Sequence, residues 1–94
     1  METLLEFLKQ VDELKITDCD ARLLNNNKDK IIREFIQSLS ELASEVLVGD
    51  NGQCLWDQHE ILREAGYSVF AGEKDRFGWL TGCIQTKKGI IVYG

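Results

Sequence analysis

The sequence predicts an α+β domain in which three N-terminal helices are followed by a three-stranded antiparallel β-meander. In three segments between Thr3 and about Ala65, apolar residues recur at spacings of three and four, which is the period of an amphipathic helix. After Gly66 the chain changes to short extended runs that are separated by glycine-containing turns. Runs of helices followed by runs of strands are typical of the α+β class.

The length and composition indicate one folded domain, residues 1–94. A hydrophobic content of 44% beside 29% charged residues is that of a globular domain and is too apolar for a disordered chain. No apolar run approaches the roughly 20 residues that span a bilayer. The start, METLLEFLKQVDELK, alternates acids with leucines where a signal peptide has a basic flank and an apolar core. We therefore expect neither a signal peptide nor a membrane helix.

The cysteines and the net charge point to a compartment and a class of partner. Cys19, Cys54 and Cys83 are odd in number and widely spaced, which fits reduced thiols better than a secreted disulfide framework. The net charge of −5 opposes nonspecific binding to nucleic acid, because basic contacts dominate that affinity. We expect a cytoplasmic protein that binds another protein, or itself, and binds neither nucleic acid nor a membrane.

The first two helices are amphipathic. Residues 3–14 form the first, with Thr3 as its N-cap and Glu6 completing a capping box. The second runs from about Lys28 to Val48, and its apolar arc of roughly 160° predicts contact with more than one neighbour. The apolar side of this second helix comprises Ile31, Ile32, Phe35, Ile36, Leu39, Leu42, Ala43, Val46 and Leu47.

The remaining helical region contains two turns and a third helix. Between the first two helices, KITDCDARLLNNNKDK favours turns, and its apolar members are expected to pin the loop to the core: Ile16, Leu23 and Leu24. Gly49 is expected to end the second helix in a left-handed conformation, as Gly66 does for the third, at 53–65. The third helix is expected to turn four residues inward: Leu55, Ile61, Leu62 and Ala65.

The three predicted strands, at 67–71, 79–86 and 90–93, have apolar side chains on both faces. A charged loop at 72–78 and the turn Lys87-Lys88-Gly89 connect them. Because successive side chains alternate, one face receives Leu80, Gly82, Ile84, and the other Trp79, Thr81, Cys83. In the last strand, Ile90 and Val92 oppose Ile91 and Tyr93. A sheet with one solvated face should instead alternate apolar with polar residues.

Three explanations account for the second apolar face. The helices cover both faces, or one face meets an identical copy or another protein, or a small-molecule pocket lies between sheet and helix. Each large apolar side chain left in water forfeits about 1.5–3 kcal/mol, which is a sizeable part of a domain's net stability of about 5–15 kcal/mol. The sequence leaves the choice open.

A catalytic or metal centre is not indicated. On a helix at 53–65, Cys54 and His59 are about 140° apart, so we interpret His59, the only histidine, as a helix-surface or interface residue beside Asp57 and Glu60. We therefore predict no catalytic residue, no metal, no cofactor and no enzymatic activity. The four potential metal ligands contain no Cys-x-x-Cys pair: Cys19, Cys54, His59 and Cys83.

The loop GEKDRFGW interleaves charges with aromatic residues, and aromatics and arginine are enriched at protein interfaces. The competing interpretation is a hairpin loop whose Phe77 folds back on the core. Our leading hypothesis is a small acidic regulatory protein of the inhibitor, immunity or accessory type, monomeric or homodimeric. It acts through its sheet face and the loop at 72–79, with the partner-binding residues Trp79, Phe77, Arg76, Tyr93 and Trp56.

A second hypothesis comes from a resemblance. A helix ending in LREAGY, a strand, the charged turn DRFG and a strand running to TKKG resemble the recognition helix and wing of winged-helix regulators, over roughly residues 53–89. The resemblance implies a DNA-binding transcriptional regulator whose recognition helix enters the major groove. That helix here carries Asp57, Glu60 and Glu64 against Arg63, which disfavours contact with DNA.

Overall fold

A computed structural model describes residues 2–15, 23–49, 54–74 and 80–93, with backbone alone for 71–74, 80 and 81. Within these residues the chain forms three α-helices, one 3-10 turn and a three-stranded antiparallel sheet, which confirms the α+β class with its strands at the C-terminal end. The elements are α1 (Glu2–Asp12), the 3-10 turn (Leu24–Asn26), α2 (Lys30–Leu47), α3 (Trp56–Glu64), β1 (Ser68–Lys74), β2 (Leu80–Gln85) and β3 (Ile90–Tyr93).

Helix α1 packs against α2. It already includes Glu2, so Thr3 lies inside the helix and the predicted N-cap is wrong. The buried side of α1 consists of Leu4, Leu8 and Val11. The rings of Phe7 and Phe35 join the two helices with centroids 5.5 Å apart.

The N-terminus of α2 is capped by Asp29, whose carboxylate accepts hydrogen bonds from the backbone N–H groups of Ile31 at 2.9 Å and Ile32 at 3.4 Å. This side-chain cap supplies partners for amides that the first helical turn leaves unpaired. Ile31 was predicted on the apolar side but is 79% exposed in the first turn, beyond the buried ridge. That ridge consists of Ile36, Leu39, Ala43 and Leu47.

The end of α2 differs from its prediction, and this difference moves the start of α3. Val48 is extended and forms an antiparallel bridge with Cys54, while the Leu55 N–H donates to the Leu47 carbonyl at 3.1 Å. Gly49 has no positive φ, so the left-handed stop predicted there is wrong. Because Cys54 is paired with Val48 in this bridge, Cys54 lies outside the helix, and α3 begins at Trp56 and not at Gln53.

The end of α3 agrees with its prediction. Gly66 has φ 98° and donates its N–H to the Arg63 carbonyl, and the Tyr67 N–H donates to the Leu62 carbonyl. These two bonds form a Schellman motif, which needs the left-handed residue that glycine supplies at least cost. The Tyr67 hydroxyl then donates to Asp12 Oδ2 at 3.1 Å and ties this corner to the end of α1.

The sheet has the order β1-β2-β3 with antiparallel pairing throughout. β1 continues to Lys74, three residues beyond the predicted end, with an irregularity in register between Ala71 and Lys74. In the turn between β2 and β3, Thr86 exchanges backbone hydrogen bonds with Gly89, which has the expected positive φ.

The molecule has two layers. α2 packs against β3 and α3 against β1. The Cα atoms span 37 × 29 × 17 Å, and the shortest dimension fits two layers because packed elements lie about 10 Å apart. We call the face of the sheet toward the helices the inner face and the opposite one the outer face. The inner face contributes four buried side chains to the core: Val69, Ile84, Ile91 and Tyr93.

Candidate interaction surface

The outer face carries a row of apolar side chains across all three strands. Phe70 pairs directly with Cys83, and Cys83 with Val92. Side chains of directly paired residues lie on the same face about 4.5–5.5 Å apart at Cβ. Phe70 is 52% exposed and Val92 is 40% exposed. The described helices do not seal this face, so the first explanation for the second apolar face does not hold for this part of the chain.

A second row of the outer face lies beside the first and runs through Ser68, Gln85 and Ile90. Leu23 extends this row, because it forms a parallel bridge with Ile90 and is 41% exposed. Leu23 was predicted to point into the core with Leu24. Only Leu24 is buried, since the two neighbours point to opposite sides of the sheet.

The edge of β3 is closed by side chains. The Val92 N–H donates to Asn25 Oδ1 at 2.8 Å, and the Val92 carbonyl accepts from Asn25 Nδ2 at 3.0 Å and from Ser40 Oγ at 2.6 Å. The Asn25 amide thus occupies the position that a neighbouring strand would take. On β1, Arg63 Nη2 donates to the Val69 carbonyl at 3.1 Å. Blocked edge groups of this kind oppose the addition of a further strand.

Tyr93, one of the predicted partner-binding residues, is 2% exposed and lies on the inner face, so its placement on a contact surface is wrong. It is paired with Gly82. A Cβ at Gly82 would lie 2.5 Å from the Tyr93 hydroxyl oxygen and 2.5 Å from the Phe70 carbonyl oxygen. Glycine is therefore required at this position for the Tyr93 ring to lie close to the β2 backbone.

His59 is fully buried, which corrects its interpretation as a surface residue. Its Nδ1 lies 2.9 Å from the Leu55 carbonyl oxygen and its Nε2 lies 2.9 Å from the Tyr93 hydroxyl. Because a carbonyl only accepts, these partners assign the proton to Nδ1 and make Nε2 the acceptor for the Tyr93 hydroxyl. The Nδ1 bond lies within the first turn of α3, and the Nε2 bond joins α3 to β3.

Cys54 contacts the same imidazole, with Sγ 3.6 Å from Nδ1 and 3.8 Å from Nε2. The sequence prediction excluded this contact because it placed Cys54 inside the helix, whereas Cys54 precedes α3. Burial raises the pKa of the Cys54 thiol, and the positive charge of Arg63 lowers it by less. A thiol with a raised pKa, beside an imidazole whose nitrogens are both engaged, is not activated as a nucleophile.

Trp56 is 57% exposed at the start of α3, and its role in partner binding stays a prediction. It lines an open groove with a volume of about 380 Å³, together with Cys54, Leu55, Asp57 and Gln58. These residues offer no convergent set of polar groups of the kind that orients a small ligand. Within residues 2–15, 23–49, 54–74 and 80–93, no group of three His, Cys, Asp or Glu side chains is placed to hold a metal ion.

Of the other predicted partner-binding residues, Trp79, Phe77 and Arg76 lie outside the described residues. Sequence reasoning missed Phe70 as an outer-face residue. The alternation of side chains along β1 could have placed Phe70 on the face opposite to buried Val69. The pairing of Phe70 with Cys83, which forms the row, depends on the register of the strands, and no local pattern specified that register.

Helix α3 occupies the position of the recognition helix in the winged-helix resemblance. Its one arginine, Arg63, donates to the Val69 carbonyl and lies 3.9 Å from the Glu60 carboxylate. Asp57 and Glu64 add negative charge to the same helix. This helix therefore presents an acidic surface, which repels a phosphate backbone.

Comparison of the chain with protein-family models, curated proteins and solved structures gives no match. No helix in the described part of the chain is long and apolar enough to cross a membrane.

Proposed function

We propose that this chain is a small cytosolic protein-binding domain of the inhibitor, immunity or accessory type, and that it binds its partner through the outer face of its sheet. The observation that supports the proposal is the apolar row Phe70, Cys83 and Val92, in which Phe70 and Val92 are exposed and Cys83 is partly buried. Contiguous apolar surface rimmed by polar residues marks interaction sites in soluble proteins. Singly scattered apolar side chains, such as Ile31, need no such explanation.

The proposal includes no catalytic role. The Cys54 thiol and His59 are the nearest approach to a nucleophile and a base among the described side chains, and the bonds of His59 to Leu55 and Tyr93 give it a structural task. We expect that replacing His59 changes stability and removes no chemical activity.

A photo-cross-linking experiment tests the proposal. Benzoylphenylalanine is introduced in place of Phe70 and, as the matched control, in place of Ile31, which is also exposed and apolar but lies on α2. The tagged chain is expressed in the cells from which it comes, irradiated and analysed by mass spectrometry. We expect a discrete adduct with one protein from position 70 and none from position 31.

Equal labelling from both positions, or labelling from position 31 alone, would overturn the proposal. Sedimentation velocity over a hundredfold concentration range then tells an adduct between two copies from an adduct with another protein, since only self-association makes the sedimentation coefficient depend on concentration.

The DNA-binding alternative is tested with the same preparation. Titration with a mixed-sequence duplex at low salt is expected to give no binding, because the chain has a net charge of −5 and the one arginine of α3 is engaged. Binding that weakens steeply with added salt would favour the winged-helix alternative instead.

A further inference from the structure

Charge is divided unevenly between the two halves of the chain. Residues 68–94 contain four basic and two acidic residues and carry a net charge of +2, which leaves −7 for residues 1–67. The acids of the N-terminal half lie largely on the helices, and the helices pack on the inner face of the sheet. The charges of residues 73–76 cancel one another, so the net positive charge of residues 68–94 equals that of Lys87 and Lys88.

Two exposed lysines lie at one end of the outer face. Lys87 and Lys88 form the turn between β2 and β3, directly beyond the paired residues Gln85 and Ile90. The Lys88 N–H donates to the Thr86 hydroxyl, which fixes the backbone of the turn. The outer-face rows themselves carry no charged side chain, so the surface is an apolar strip with a basic end.

These charges disfavour a second copy of the chain as the occupant. In a face-to-face pair, the outer-face rows of the other copy would offer no carboxylate to Lys87 and Lys88, because those rows carry no charged side chain.

The dimensions of the sheet suit a helix. The row of Phe70, Cys83 and Val92 crosses three strands spaced about 4.8 Å apart, so it is roughly 10 Å long, and the residues from i to i+7 of an α-helix rise about 10.5 Å. A further strand is opposed by the bonds that Asn25 and Ser40 make to the edge of β3. A single helix covers the exposed row without needing a free edge.

We propose that the outer face binds one amphipathic α-helix of another protein, with its apolar stripe over Phe70, Cys83 and Val92 and its acidic flank beside Lys87 and Lys88. This inference rests on the proposed protein-binding function and names the chemistry of the partner. Recognition of this kind places apolar anchors at i, i+3, i+4 and i+7 on the surface and selects the partner by flanking charge.

A pair of synthetic peptides tests the inference. One has about 18 residues, enough to be appreciably helical, with leucine at i, i+3, i+4 and i+7 and glutamate along one flank. The other has lysine for every glutamate. The readout is the rate of alkylation of Cys83, with Cys54 as an internal reference because it lies beside α3 and not on the outer face.

We expect the glutamate peptide to slow alkylation of Cys83 and to leave Cys54 unchanged. The lysine peptide should need roughly tenfold higher concentration for the same protection, since two exposed charge pairs are worth about 1.4 kcal/mol together. Changing both Lys87→Glu and Lys88→Glu should reverse this preference. Phe70→Ser should weaken the binding of both peptides, whereas the matched control Ile31→Ser should weaken the binding of neither.

Three results would overturn the inference: equal protection by the two peptides, equal protection of both thiols, or no protection of Cys83 by either peptide. The cross-linking result separates this failure from that of the proposed function. If position 70 gives an adduct but neither peptide protects Cys83, the outer face still binds a protein, and that protein does not present an acidic helix. Absence of an adduct from position 70 rejects the function itself.

Discussion

The two faces of the sheet are built from similar residues, but one face is buried and the other is exposed. On the inner face Val69, Ile84 and Ile91 are buried beneath the helices, and on the outer face Phe70 and Val92 remain substantially exposed. Residue type therefore does not separate core from surface in these strands. The position of the helices determines which strand residues are buried, because the helices lie on one side of a two-layer molecule.

This difference separates stability from recognition. Apolar area removed from water stabilises a fold by about 25 cal/mol per Å². The side chains of the outer face have only part of their apolar area removed from water. Changes on the inner face should therefore cost folding free energy, while changes on the outer face should chiefly affect binding.

The most direct test replaces one residue on each face. Ile84→Ala empties a fully buried position among Val69 and Ile91 and should lower the free energy of unfolding by about 3–4 kcal/mol. Phe70→Ala removes a larger but half-exposed side chain and should cost about 1 kcal/mol or less. Urea denaturation followed by circular dichroism measures both.

The proposed difference between the inner and the outer face is contradicted if Phe70→Ala is as destabilising as Ile84→Ala. That result would mean that the outer row is part of the folding core, and it would remove the reason for assigning it to a partner.

Much of the fold follows from local patterns in the sequence. The three- and four-residue periodicity predicted the helices, and Gly66 marked the end of α3 because a Schellman motif needs one left-handed residue. The alternation along β3 correctly divided Ile91 from Val92. Each of these features is determined by residues close together in the chain.

The candidate site was less predictable because it depends on pairing between distant residues. Tyr93 and His59 are 34 positions apart, and their hydrogen bond makes both of them core residues. The bridge between Val48 and Cys54 shortened α3 and brought Cys54 to the imidazole. Ile61 and Ala65, predicted to face inward, are exposed, and the buried side of α3 consists of His59 and Leu62.

A second test concerns the close contact inside the sheet. Gly82→Ala places a methyl group against the Tyr93 ring and the Phe70 backbone, and a backbone neighbour cannot move away cheaply. We expect a loss of about 2–3 kcal/mol, typical of overpacking. A matched substitution, Gly66→Ala, meets no atom within 4 Å and is disfavoured only by its positive φ, so it should cost about 1 kcal/mol. Equal losses from the two would show that Tyr93 does not lie over Gly82.

A third test concerns the hydrogen bond between Tyr93 and His59, and the expected effect of Tyr93→Phe changes with pH. The variant loses the hydrogen bond to His59 and should be about 1–2 kcal/mol less stable at pH 7. Burial, followed by the negative charges of the Cys54 and Cys83 thiolates, raises the pKa of the Tyr93 phenol above its ordinary value of about 10. The unfolded chain then loses this proton first, so stability that is fully present below about pH 10 falls as the pH rises further.

Tyr93→Phe removes this contribution, and the gap in stability between the variant and the parent chain should therefore narrow above about pH 10, by up to about 1.4 kcal/mol per pH unit. Urea titrations at pH 7, 9, 10 and 11 measure the gap. Tyr67→Phe is the matched control, because burial and the Asp12 carboxylate also raise the pKa of Tyr67 but this ring is only partly buried, so its gap should narrow less. A gap for Tyr93→Phe that stays constant up to pH 11 would mean that this phenol is solvated, and the inner face would then be no better sealed than the outer one.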